Sequence, residues 1–216
     1  MLSNESYKMD MCNGPVLQKV IAFSLPLMLS SCLQLLFNAA DVIVVGRFAG
    51  STSLAAVGST TELLSLLTTL FIGFSIGANV NVARTLGNQD DQGTKDGVHT
   101  AVSVSILSGS AMILLGFLFG RPMLQWMGTP ADVIDKASLY LMIIFIGMPS
   151  NMAYNFGSAI LRAMGDTKRP LYFLSVAGVL NVVLNLIFVI VLHMDVAGVA
   201  LATILSETLS AILILN

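Results

Sequence analysis

Long apolar spans separated by short polar segments dominate the chain. Six such spans can be placed, and each reaches the length of about 20 residues that a helix needs to cross a bilayer. Between them lie the glycines, prolines and charged residues typical of turns and helix ends. The spans cover residues 16–45, 54–83, 97–119, 137–161, 171–192 and 196–216. This pattern predicts an all-α integral membrane protein with six transmembrane helices.

The composition supports this interpretation. Only 10% of the residues are charged, whereas about 25% are charged in a typical soluble protein. Hydrophobic residues make up 56% of the chain, and the mean hydropathy is +0.86. The formal net charge is −2, and no basic patch indicates a nucleic-acid partner. The lipid bilayer is therefore the expected surrounding of the chain.

The positions of lysine and arginine predict an orientation in the membrane. If residues 1–15 form a cytoplasmic tail, the inside segments hold seven of the ten basic residues and the outside segments hold three. An excess of basic residues is typical of cytoplasmic loops. The outside residues are Arg47, Arg121 and Lys136. We expect a multi-pass protein of the plasma membrane with its N-terminus in the cytoplasm.

Four polar side chains on four predicted helices fall at a similar depth. At 1.5 Å per helical residue, Asp41 lies about 9 Å below Arg47 at the outer surface. Asn185 and Thr203 each lie about 12 Å, and Glu62 about 13 Å, below the outer ends of their helices. All four positions are in the outer half of the membrane.

Asp41 is the position that most needs an explanation, because an uncompensated carboxylate in hydrocarbon costs several kcal/mol. A carboxylate among amides can bind Na⁺ through its oxygens or take up a proton. The alternative is that Asp41 lies near the interface, where it is hydrated or pairs with Arg47.

Other polar residues repeat at helical spacing and should turn away from lipid. Inward polar faces predict either a polar cavity or a network of amide hydrogen bonds between helices. Glu62 is interpreted as a cavity wall or a local pair, and the role of Glu207 is left open. The faces comprise Gln34, Asn38 and Asp41; Asn151 and Asn155; Asn181 and Asn185; and Thr203 and Glu207.

Glycine and proline residues within the spans indicate where helices pack closely and where a helix bends. Gly73 and Gly77 have the spacing of close helix–helix contacts. Pro26 removes a backbone hydrogen bond from the first helix, so it predicts either a static kink or a bending point.

Signatures of enzymes and of bound cofactors are missing from the sequence. It contains no nucleophile elbow, no pair of zinc ligands and no phosphate-cradling loop. We therefore expect neither enzymatic activity nor a cofactor, and no metal other than Na⁺ at Asp41.

Four stretches of the sequence resemble the multidrug and toxic compound extrusion (MATE) family, in its DinF-like branch. They are PLMLSSCLQLLFNAADVIVVGRFAGSTSLAAVG, GFSIGANVNVARTLGNQD, AILRAMGDTKRPL and LNVVLNLIFVIVLHMDVAGVALAT. They occur in collinear order between residue 14 and about residue 210.

The resemblance implies a fold and a function. Such proteins have twelve helices in two six-helix lobes and exchange amphipathic, often cationic, compounds for H⁺ or Na⁺. Residues 16–216 correspond to the N-terminal lobe. By motif match, Asp41, Asn181, Asn185 and Thr203 form the implied ion site, and Pro26 is the bending proline. Cavity-lining roles are expected for Gln34, Asn38, Asn155 and Glu62.

Two departures from the family pattern qualify the expected mechanism. Several relatives have an aspartate where this chain has Asn185, so the coupling ion, H⁺ or Na⁺, is left open. The sequence also ends within the sixth apolar span. We expect either a fragment that lacks the C-terminal lobe or a pair of copies that together make a transporter.

The sequence leaves two other functions open. A flippase for lipid-linked saccharides belongs to the same superfamily but often carries cavity arginines for pyrophosphate, whereas the arginines here lie at predicted helix ends. The second is a membrane assembly module that transports nothing.

Overall fold

A computed structural model describes residues 15–215, which form six long helices. The helices are α1 (Val16–Val44), α2 (Ser51–Gly87), α3 (Asp91–Trp126), α4 (Ile134–Ala163), α5 (Lys168–Asn185) and α6 (Asp195–Leu215). Each is long and apolar enough to cross a membrane. The predicted all-α fold with six membrane spans is confirmed. The predicted cytoplasmic tail lies outside the described residues, apart from residue 15.

Two helices extend well beyond the apolar spans that predicted them. The segment between α2 and α3 was predicted as a loop, but it is helical except for a short turn that ends at Asp90. The Asp90 carboxylate accepts a hydrogen bond of 2.9 Å from the Gly93 N–H and so caps α3. A helix ends where a cap satisfies its backbone, and hydropathy does not report that position.

Helix α4 is the centre of the bundle. It packs against α2, α3 and α6, whereas α1 packs mainly against α5. The largest fully buried side chains include Leu141, Phe145 and Phe156 of α4. In contrast, Pro26 and Val44 are the buried residues of α1. The bundle is therefore well packed around α4 and loosely packed at α1.

Glycines bring α3 and α4 into close contact. A Cβ atom added at Gly116 would lie 2.1 Å from Cδ2 of Phe145, and one at Gly109 would lie 2.6 Å from the Cα of Pro149. Both distances are far below a van der Waals contact. In a membrane, where helices associate mainly by close packing, such contacts hold the bundle together.

Close contacts at glycines also join other helix pairs, but they do not occur at the two glycines that the sequence predicts. A Cβ at Gly178 of α5 would meet the Phe37 ring of α1. Gly73 and Gly77 of α2, for which the sequence spacing predicts close packing, have no described residue within 4 Å of an added Cβ atom. That prediction is wrong, because the spacing of small residues does not reveal which helix face has a neighbour.

The link between α4 and α5 is fixed by an aspartate. Gly165 has φ +82°, a conformation that suits glycine at a helix end. Asp166 is 2% exposed, and its Oδ1 accepts hydrogen bonds of 3.1 Å from the N–H groups of Lys168 and Arg169. Its Oδ2 lies 3.1 Å from Nε of Arg169. The GDTKR sequence therefore ends one helix and caps the next.

The opposite end of the bundle is joined by a lysine. Nζ of Lys136, in the first turn of α4, lies 2.8 Å from Oγ of Ser53 and 2.5 Å from Oδ2 of Asp195. These contacts connect the first turns of α2, α4 and α6. The two ends of the bundle are thus fixed independently of the interior between them.

Replacing Gly116 by alanine is expected to destabilise the protein by about 1–3 kcal/mol, because the added methyl group overlaps Phe145 close to its Cβ. The measurement is SDS-induced unfolding in mixed micelles. The control is Gly77→Ala, which meets open space and should be neutral or stabilising by up to about 1 kcal/mol. Equal effects of the two substitutions would contradict the packing described here.

Replacing Asp166 by alanine is expected to destabilise the protein by about 1–2 kcal/mol, because two N–H groups of α5 lose their acceptor. The same unfolding assay measures this loss. Asp132→Ala, which removes an exposed carboxylate, should change stability by no more than about 0.5 kcal/mol. A stable Asp166→Ala protein would show that the cap is dispensable.

Candidate functional site

A cavity of about 510 Å³ opens between five of the helices. Residues of α1, α2, α4, α5 and α6 line it, with apolar side chains such as Ile144 and Met148 beside amides and hydroxyls. Two carboxylates, Asp41 and Glu207, are among its described lining residues. We therefore take this cavity as the candidate functional site of the bundle.

The helices that carry two of the polar residues change geometry directly after them. Asp41 lies in the last turn of α1, and a π-helical turn, Val45–Ala49, follows. Asn185 is the last residue of α5 before a second π-helical turn, Leu186–Val191. The two turns contact each other. Such turns occur frequently at functional sites, and the sequence pattern did not predict them.

Asn185 connects α1 to α5. Its side-chain NH₂ group donates to Oδ1 of Asp41 at 2.5 Å and to Oδ1 of Asn181 at 3.2 Å. Asn185 is fully buried and Asn181 is 5% exposed. Since only an NH₂ group can donate to two oxygens at once, these contacts also fix the orientation of the amide.

Thr203 extends this network to α6. The NH₂ group of Asn181 lies 3.4 Å from Oγ1 of Thr203, whose own hydroxyl donates to the carbonyl of Val199 at 3.0 Å. The structure therefore brings Asp41, Asn181, Asn185 and Thr203 together, the four residues that the family resemblance assigns to an ion site. Whether they bind an ion is a separate question and stays a prediction.

One oxygen in this group is buried without a hydrogen-bond donor. Within the described residues, Oδ1 of Asn185 has no partner, although it is shielded from solvent. A buried acceptor left unpaired costs about 1–3 kcal/mol. Native structures satisfy nearly all such groups, and an exception calls for an explanation such as a bound ion.

The alternative interpretation of Asp41 does not fit its surroundings. Arg47 is exposed, and no ion pair joins it to Asp41 in the part of the chain that the structure describes. Asp41 instead lines the cavity and accepts from Asn185. Among the described residues, the carboxylate is therefore held by the neutral amide of Asn185 and not by a cationic side chain.

A second polar group lies between α4 and α6. The NH₂ group of Asn151 donates to Oε1 of Glu207 at 2.8 Å. Asn155 in turn donates to the backbone and side-chain oxygens of Asn151, both at 2.9 Å. The sequence placed Asn151 and Asn155 on one helix face and Glu207 on another, but it did not pair the two faces. In the sequence, only the i, i+4 spacing of Asn151 and Asn155 indicated this polar group.

Of the other residues predicted to line the cavity, three do and one does not. Gln34, Asn38 and Asn155 line the cavity. Glu62 is exposed and is not among the lining residues, so its assignment to the cavity wall is corrected. Its neighbour Thr61 does line the cavity, and one residue along a helix turns the side chain by about 100°.

Pro26 is buried within an uninterrupted α1. The hydroxyl of Ser30, one turn after Pro26 on the same helix, donates to the Pro26 carbonyl at 2.9 Å. The role of Pro26 in bending stays a prediction.

Comparison with known proteins identifies related sequences. The MatE family profile matches residues 26–187. Two curated proteins of Bacillus subtilis (strain 168) are similar to the chain. The probable multidrug resistance protein YpnP is 34% identical over 92% of this chain and 44% of its own length. The probable multidrug resistance protein YoeA is 32% identical over 89% of this chain and 42% of its own length.

Solved structures agree in fold. A crystal structure of MATE in the bent conformation superposes with a TM-score of 0.87 at 28% identity. The match covers 93% of this chain and 45% of that one. The chain therefore spans less than half the length of these relatives. The predicted family is confirmed, while its DinF-like branch stays a prediction.

A double-mutant cycle tests the contact between α1 and α5. We expect Asp41→Ala and Asn185→Ala to show a coupling free energy of about 0.5–2 kcal/mol in unfolding, because each removes the other's partner. Asn81→Ala, which truncates an exposed asparagine of α2, serves as the control partner for Asp41→Ala. If the Asn185 pair were as additive as this control pair, the contact would contribute nothing.

Proposed function

The chain belongs to the MatE family, and from this premise we propose that it forms one lobe of a membrane antiporter. The antiporter exports amphipathic or cationic compounds in exchange for H⁺ or Na⁺. The observation that carries this proposal is the hydrogen-bonded group that joins Asp41 to Asn181, Asn185 and Thr203 inside the cavity. It links α1 to α5 through the Asp41 carboxylate and α5 to α6 through the Asn181 amide and the Thr203 hydroxyl.

The chemistry of the group supports a small cation at Asp41. A carboxylate away from bulk water is stable only when a proton or another cation neutralises it. The Asp41 carboxylate, the unpaired Oδ1 of Asn185 and Oγ1 of Thr203 are oxygen ligands of the kind that hard cations such as Na⁺ accept. A proton can instead occupy the carboxyl oxygen that Asn185 does not contact.

The packing of α1 gives a route from ion binding to transport. Because α1 packs mainly against α5, the Asp41–Asn185 contact lies in the main interface between α1 and the rest of the bundle. Neutralising Asp41 weakens that contact and lets α1 move against α5. Pro26 and the two π-helical turns are the places where the helices can bend.

The cavity suits the proposed substrates. Its volume of about 510 Å³ falls in the range of about 300–1,000 Å³ that drug-sized ligands occupy. Its walls combine apolar side chains with two carboxylates and carry no lysine or arginine among the described lining residues. An amphipathic cation matches both properties, and its binding competes electrostatically with that of the coupling ion.

The same lining disfavours the alternatives. A flippase must hold the pyrophosphate of its lipid, for which lysine or arginine is the usual ligand. A module that only assembles with other proteins has no use for a polar cavity of this size. The proposed exchange breaks no covalent bond in the substrate, so the proposal includes no enzymatic step.

The proposed transporter includes more than the described helices. Alternating access takes place between two lobes or repeats, so a C-terminal lobe or a second copy of this chain completes the cleft. We place the assembly in the plasma membrane with the N-terminus in the cytoplasm, in accord with the distribution of lysine and arginine.

Asp41→Asn is expected to abolish the dependence of efflux on an imposed pH or Na⁺ gradient, because a neutral amide cannot exchange a cation. The measurement is efflux of a fluorescent cation from proteoliposomes that contain the protein expressed from its complete gene. Glu62→Gln, which neutralises an exposed carboxylate outside the cavity, should keep ion-coupled efflux. Intact coupling in the Asp41→Asn protein would overturn the proposed function.

A further inference from the structure

Glu207 is the carboxylate of the cavity that the proposed ion site does not use. It lies on α6, one turn beyond Thr203, and lines the same cavity as Asp41. Its Oε1 accepts from Asn151 at 2.8 Å, and Asn155 holds Asn151 in turn. Two successive amides of α4 thus fix the position of this carboxylate.

The charges around Glu207 are of one sign. The titratable groups that line the cavity with it are Asp41 of α1 and the tyrosines Tyr140 and Tyr154 of α4, whereas α2 and α5 contribute none among the described residues. Two ionised carboxylates in one cavity repel each other, and each is costly away from water. Ionised Glu207 therefore requires a cation that the lining residues do not supply.

The surroundings of the two carboxylates differ. Asp41 belongs to a hydrogen-bonded group with Asn181, Asn185 and Thr203, whose side-chain oxygens are of the kind that suits a small ion. Glu207 contacts Asn151, and the apolar and aromatic side chains of Met148 and Tyr154, three residues before and after Asn151 on α4, line the same cavity. Aromatic faces attract organic cations, and apolar walls bury the carbon groups that such cations carry. Glu207 therefore matches an organic cation better than a small ion.

We propose that Glu207 binds the positively charged nitrogen of the exported compound, while Asp41 binds the coupling ion. This inference rests on the proposed function and adds the substrate contact to it. Before substrate enters, Glu207 is a neutral carboxylic acid that still accepts from Asn151. When an organic cation arrives, the O–H bond of Glu207 breaks, the proton leaves to water at the cavity mouth, and the carboxylate pairs with the nitrogen. One cation enters for one proton released, so the charge of the cavity is unchanged.

The test compares a charged with an uncharged probe. The protein expressed from its complete gene is purified in detergent and titrated with ethidium, a permanent cation, and with Nile red, a neutral dye of similar size. Glu207→Gln is expected to weaken ethidium binding by about 10-fold to 100-fold, as the loss of a hydrogen-bonded charge does, and to leave Nile red binding unchanged. Proton release on ethidium binding, followed with a pH indicator in weak buffer, should be lost in this variant.

Two further variants make the result specific. Glu62→Gln removes the same charge outside the cavity and should bind both dyes like the unmodified protein. Glu207→Asp keeps the charge on a shorter side chain and should recover part of the ethidium affinity and the proton release.

Each outcome decides the inference. Unchanged ethidium binding in Glu207→Gln overturns it, and so does an equal loss for both dyes, because Glu207 would then only shape the cavity. If the Asp41→Asn protein has lost coupling in these cases, the proposed function stands and the inference alone fails. If the unmodified protein binds no ethidium, both fail.

Discussion

The hydrogen bond from Asn185 to Asp41 is the interaction on which the rest of the site depends. It places a carboxylate of α1 against α5 inside a cavity whose lining offers no cationic partner among the described residues. A carboxylate in such a place is stable only with a proton or another cation. The bond therefore makes the position of α1 sensitive to what neutralises Asp41.

The helices of the bundle differ in how closely they are packed, and this difference bears on which helix could shift when Asp41 is neutralised. Glycines let α3 and α4 approach closely, and Lys136 and Asp166 fix opposite ends of the bundle. Helix α1 has few buried residues and one main neighbour. A closely packed group of helices thus stands beside a helix with few buried residues, and this arrangement suits the proposed ion-driven movement of α1.

Two carboxylates on different helices of one cavity allow the coupling ion and the exported compound to bind at different residues. In the proposed mechanism Asp41 exchanges the coupling ion among close oxygens, and Glu207 pairs with an organic cation beside aromatic and apolar surfaces. The second carboxylate of the cavity lies on α6 and is held by Asn151 of α4, whereas Asp41 of α1 is held by Asn185 of α5.

The sequence alone determined the number and type of helices, because the length of an apolar span is a local property that the bilayer thickness sets. It also predicted similar depths for Asp41, Glu62, Asn185 and Thr203, because rise per residue is constant along a helix. Only the tertiary structure decided the direction in which each side chain faces. Glu62 turns out of the cavity, Glu207 meets Asn151, and Gly73 and Gly77 face open space. Helix rotation and partner choice depend on packing between distant segments, which no local pattern contains.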